Sequence, residues 1–252
     1  MKNSKIKTLS LYKTKVVTTN TVMQIYVYDK FITKSYNSER VNYEKSEKGI
    51  KSNASIQRAK TQLFNLVASN VTRYSKFITL TTRATVLDRN EFLNMFNQFR
   101  KNFSRIFGYN LRYVSVLEKQ KKRGIRENNS GSYHMHLIVF NDAKLPFESL
   151  KKCWCSYGSI DIKKLRDFTH IPLYLMKYLT KEIVSHNDKM ILVSQKLKQP
   201  EIYYSSNRMI LETYDYRKEY ILPNGVKCLF YEIQINRSKS ENKQQIQMIK
   251  FN

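Results

Sequence analysis

The sequence predicts an α+β fold organised around a central antiparallel sheet, and three observations lead there. The runs Lys76–Thr82, Leu111–Lys119 and Tyr133–Phe140 are rich in β-branched and aromatic residues and read as strands. Segments at Ser55–Ser69, Asp88–Phe107, Pro146–Cys155 and Pro172–Ile183 carry helical signals, chiefly apolar residues at helical spacing. A basic, polar loop is all that separates the second strand from the third, which points to an antiparallel pair.

Taken in order, residues 1–55 are polar and rich in Lys, Asn and Thr, with a strand-like patch at Val22–Phe31. They read as a basic, partly ordered N-terminal arm; residues 56–235 read as one folded domain and 236–252 as a polar tail. Leu63, Leu66 and Val67 give the first helix its apolar side. Asp88-Arg-Asn-Glu91 has the spacing of a capping box. From it Phe92, Met95, Phe96, Phe99, Phe103 and Phe107 recur at helical spacing until Gly108 stops the run. That stripe is a core face.

Pro146 occupies a tolerated first-turn position in the next helix, Gly158 breaks it, and Ser159–Lys163 is a short strand. In the last helix, at about 100° per residue, Pro172, Leu175, Met176, Leu179 and Ile183 gather on one side. Tyr174, Lys177, Tyr178 and Lys181 gather on the other, so the tyrosines are free to face a cleft. Val226–Ile235 follows a Pro223-Asn-Gly225 turn signal and reads as a final strand.

Charge narrows the partners. The chain has 45 basic against 20 acidic residues, a net charge of +25. Such an excess repels itself unless a polyanion is bound, and nucleic acid leads because each neutralised phosphate releases a counterion. A membrane surface ranks lower, since no strongly amphipathic basic helix dominates. No apolar run approaches the length of a membrane span, and the start, Met1-Lys-Asn-Ser-Lys5, lacks the apolar core of a secretory signal. The expected location is therefore the cytoplasm of a bacterial host or an organelle. Cys153, Cys155 and Cys228 form no Cys-x-x-Cys pair and read as free thiols. There is no Gly-x-x-x-x-Gly-Lys-Ser/Thr, so no attached NTP-driven helicase is expected.

Chemistry concentrates in Tyr133-His-Met-His-Leu137. Alternation along a strand puts His134 and His136 on one face. Taken alone, such a pair is more often two hydrogen-bonded structural histidines. Glu118 shares a strand face with Val114 and Val116, and antiparallel pairing can bring it beside both imidazoles. One carboxylate and two imidazoles suit Mg²⁺ or Mn²⁺ acting on a phosphate.

In combination, Phe77-Ile-Thr-Leu-Thr81, Tyr133-His-Met-His-Leu137 and Tyr174-Leu-Met-Lys-Tyr-Leu-Thr-Lys181 resemble the three motifs of the HUH endonucleases. The doubled Tyr-x-x-Lys, the Glu-x-Gln at Glu118 and the Leu-Lys-x-Pro ending at Pro200 resemble the two-tyrosine rolling-circle replication initiators of phages and plasmids. The resemblance covers residues 75–205. It implies an RRM/ferredoxin-like palm with the histidine strand mid-sheet, helices over one face, and the tyrosine helix over the metal face.

It also implies roles. Glu118, His134 and His136 would hold Mg²⁺ or Mn²⁺, with Tyr174 and Tyr178 as nucleophiles in an order the sequence leaves open. Lys177 and Lys181 would stabilise phosphate charge, and Lys119, Lys121, Lys122, Arg123 and Arg126 would contact DNA. The partners would be single-stranded or origin DNA, with a separate host helicase and DNA polymerase. Two other readings stand beside it: a non-catalytic basic single-strand-binding protein, and a transposase of the same superfamily. The first explains the charge but not the ordered Glu, His-His and Tyr/Lys set.

Overall fold

A computed structural model of the chain describes residues 10–34, 53–121, 130–141, 143–165, 175–176, 189, 191–209, 217–222 and 224–235. Within these the fold is α+β, with two antiparallel five-stranded sheets and three helices. The chain divides into two compact units: Met1–Ser46 with Pro200–Asn252, and Glu47–Gln199.

The first unit is a sheet of β1 (Ser10–Thr18), β2 (Val22–Lys34), β8 (Glu201–Ser205), β9 (Arg217–Ile221) and β10 (Lys227–Gln234), in the order β8-β1-β2-β10-β9. Strand alternation sorts β2 into two faces. Met23, Ile25 and Val27 join Val16 and Tyr231 in a buried cluster, while Gln24, Tyr26 and Tyr28 face the other way. Residues 10–34 are thus paired strands, where the sequence reading placed a partly ordered arm. The polar composition concealed them. Lys13 and Lys15 run their cationic ends over the rings of Phe31 and Tyr26, at 4.6 and 5.4 Å, so their stems cover apolar surface. Likewise 201–235 pairs with this hairpin rather than extending the other unit's sheet.

The second unit holds α1 (Asn53–Asn70), β3 (Lys76–Thr82), α2 (Arg89–Phe107), β4 (Tyr113–Lys121), β5 (Ser130–Val139), α3 (Phe147–Trp154), β6 (Gly158–Lys164) and β7 (Leu192–Val193). Its sheet runs β6-β3-β5-β4-β7, so the histidine strand β5 is central, as expected, and β4 pairs with it antiparallel. Asp88 caps α2 by accepting the Glu91 N–H at 2.9 Å, and Gly108 closes it at φ +76 with its N–H on the Ser104 carbonyl. The phenylalanine stripe packs as read: Phe92, Phe96, Phe99 and Phe103 are buried with Ile78, Leu80, Met135, Leu137 and Trp154. Among the described residues no helix is long and apolar enough to cross a membrane, and all three cysteines are free thiols.

The opposite sheet face carries the histidines. Its apolar part, Phe77, Val114, Val116 and Ile138, is buried with Leu63, Leu66 and Val67 of α1. The sequence reading reserved this face for the tyrosine helix; α1 shares it, because four apolar sheet residues need a cover. Leu175 is fully buried in the same cluster and Met176 packs against it, which matches the core side assigned to that helix.

Candidate functional site

Three strands in register assemble a polar patch on that face. Thr81 of β3, His134 of β5 and Glu118 of β4 lie directly across from one another in one row. The next row is Thr79, His136 and Val116, and the third is Phe77, Ile138 and Val114. The change from apolar to polar along β3, β4 and β5 marks where the α1-covered core ends and the site begins.

Each histidine is held at Nδ1 by a threonine hydroxyl from β3. Thr79 Oγ1 is 3.2 Å from His136 Nδ1, and Thr81 Oγ1 is 3.1 Å from His134 Nδ1. A hydroxyl can donate or accept, so it steadies the ring in either tautomer. His136 also stacks on Phe77, with ring centroids 5.9 Å apart. Its Nε2 meets Glu118 Oε2 at 2.6 Å, and both residues are buried. A carboxylate so enclosed requires a hydrogen-bond donor. Burial lowers the affinity of His134 for a proton, opposed by the nearby Glu118 charge, and this favours the neutral ring that ligates metals.

The expected metal donors are therefore neighbours on one face. Among the described residues no three His, Cys, Asp or Glu side chains already form a metal-enclosing group. The Glu118–His136 hydrogen bond instead joins two atoms that would otherwise be ligands. The donor set still fits a divalent cation chemically. It offers two imidazoles braced at the nitrogen that would not ligate, and one carboxylate. Asp161 of β6 lies across from Thr79 in the His136 row, but it is exposed and pairs with Lys163 at 3.3 Å.

Of the other expected site residues, Lys119 places its ammonium 5.4 Å from the centre of the Tyr133 ring. Lys121 ends β4 across from Ser130. Lys122, Arg123 and Arg126, and with them Tyr174, Lys177, Tyr178 and Lys181, lie outside the described residues. The Leu-Lys-x-Pro segment proves to be anchored at its first half. Leu197 is buried, and Asn70 brackets Lys198 by donating to its carbonyl at 2.8 Å and accepting its N–H at 2.9 Å.

Two features escaped the sequence reading. The hydroxyls of Thr79 and Thr81 had no assigned role, although their spacing of two, matching that of the histidines, was the available signal. The second is Gly158, opposite Thr82 at the start of β6, where an added Cβ would fall 2.0 Å from the Thr81 carbonyl oxygen. Glycine stands there because the backbones approach so closely. The Trp154 indole N–H donates to the same carbonyl at 3.0 Å, so α3 and β6 together set the end of β3 that carries Thr81.

Residues 75–183 match the family model of the replication-associated protein ORF2 group. The match supports a role in replication for this chain. It covers β3 to β6, and so Thr79, Thr81, Glu118, His134 and His136, and it extends over Tyr174, Lys177, Tyr178 and Lys181. The first unit lies outside it. No curated protein and no solved structure matches the chain.

Proposed function

We propose that the chain is a replication initiator of the HUH two-tyrosine type, which nicks and rejoins single-stranded origin DNA by metal-dependent transesterification. The observation that carries this reading is the row structure of the histidine face: Glu118, His134 and His136 adjacent, each imidazole braced by a threonine, within the replication-family segment.

Glu118, His134 and His136 would hold Mg²⁺ or Mn²⁺, exchanging the Glu118–His136 hydrogen bond for the cation. When bound, the cation polarises a phosphodiester and offsets the charge that develops on it. Thr79 and Thr81 keep the rings oriented meanwhile. Tyr174 or Tyr178 loses its phenolic proton and bonds to phosphorus, while the bond from phosphorus to the 3′ oxygen breaks. That oxygen takes up a proton and leaves as a free 3′-OH able to prime synthesis. The 5′ end stays on the protein as a phosphotyrosine. The second tyrosine would perform the transfer that rejoins the strand, with Lys177 and Lys181 stabilising phosphate charge.

The test is a single-stranded origin oligonucleotide incubated with Mn²⁺ and analysed under denaturing conditions. A covalent adduct is expected with the native chain and none with Tyr174→Phe, Tyr178→Phe together. An adduct that survives the double substitution would assign the nucleophile elsewhere. Binding that persists with the native chain, without cleavage under any divalent cation, would favour a non-catalytic single-strand-binding protein.

A further inference from the structure

We propose that the first unit carries a second nucleic-acid site, a single-stranded DNA platform on the aromatic face of its sheet, separate from the histidine face. The geometry is a lateral row in which each residue lies directly across from the next. It runs Lys218 of β9, Phe230 of β10, Tyr26 of β2, Lys15 of β1 and Tyr204 of β8, and so crosses all five strands.

The other face of this sheet is its core, with Met23, Ile25 and Val27 buried. An antiparallel sheet with one buried face normally shows polar residues on the other. Here that second face alternates aromatic rings with lysines. The Tyr26 and Phe230 rings lie 5.0 Å apart, and Tyr220 meets Phe230 edge-on at 6.0 Å. Tyr220 is 38% exposed, Lys218 is exposed, and Tyr26, Phe230, Lys15 and Tyr204 are half-buried. Lysine nitrogens stand over rings at both ends of the row, Lys218 on Tyr220 at 5.2 Å and Lys15 on Tyr26 at 5.4 Å.

Rings that present a face beside ammonium groups suit one ligand chemistry above others: planar bases joined by phosphates. Stacking tolerates any base, and the lysines track the backbone. A duplex hides its base faces, so the platform selects single strands. The choice of DNA over RNA rests on the replication reading above. Glu232, in the next row, is held by Gln24 Nε2 at 3.0 Å and bounds the basic row on that side.

The experiment uses the full chain, EDTA and a bromodeoxyuridine-substituted oligo(dT) that has no origin sequence. Neither cleavage nor origin recognition then enters the result, so a failure of the nicking proposal leaves it readable. Ultraviolet cross-links mapped by mass spectrometry should fall on Tyr26, Tyr220 or Phe230. Cross-links confined to Glu47–Gln199, or none, overturn the platform. Lys218→Glu with Tyr220→Ala, both on the exposed edge strand, should weaken oligo(dT) binding about tenfold at an unchanged melting temperature. Unchanged affinity overturns it, and oligo(rU) binding as tightly as oligo(dT) overturns the commitment to DNA.

Discussion

Glu118 Oε2 lies 2.6 Å from His136 Nε2, although the residue directly across from Glu118 is His134. The contact is therefore diagonal on the sheet face, at a separation that long side chains span. It leaves His134 engaged at Nδ1 by Thr81, while His136 is held at both ring nitrogens. The two histidines are equivalent in the sequence motif and different in the fold.

That difference makes Glu118 the informative position. Glu118→Ala removes the acceptor that His136 Nε2 now uses and should cost about 1–3 kcal/mol in urea unfolding. Glu118→Gln keeps an acceptor oxygen and should cost less. Both should lose nicking if the carboxylate is a metal ligand. Nicking that persists in the Gln variant would leave Glu118 a purely structural partner.

Thr81→Val keeps the shape of the side chain and deletes the hydroxyl on His134 Nδ1. Partners that orient metal-ligating histidines typically govern about 10–100-fold in metal affinity or activity. The Mn²⁺ concentration for half-maximal nicking should rise by about that range, and Thr81→Ser should restore it. An unchanged Mn²⁺ dependence in the Val variant would mean that the contact does not position the ring.

Gly158→Ala forces a methyl group toward the Thr81 carbonyl, which has no room for it. The backbones of β3 and β6 must separate, at a cost of about 1–3 kcal/mol, as for other overpacked sites. Thermal unfolding measures the loss. An alanine variant as stable as the native chain would show that the two strands part freely at this end.

Much of the second unit was legible in the sequence because its signals are local. The capping spacing at Asp88, the phenylalanine stripe and Gly108 are all read within one helix, and the structure uses them as read. Strand parity put His134 with His136 and placed Glu118 opposite, since alternation depends only on the backbone. The first unit was not legible. Its strands come from the two ends of the chain, and pairing 10–34 with 201–234 leaves no periodic trace in either segment. Lysines at strand positions made the amino-terminal half read as a solvated arm.

By itself, then, the sequence determined which residues can share a face and which chemistry they could support. It named Glu118, His134 and His136 as companions. Only the tertiary structure decided that Glu118 bonds to His136 rather than to His134, that Thr79 and Thr81 brace the rings, and that Gly158 admits β6 against β3. It alone assembled the aromatic row across five strands. The physical reason is common to all of these. A strand's own sequence sets which way its side chains point, whereas the partner it meets is set by packing between segments far apart in the chain.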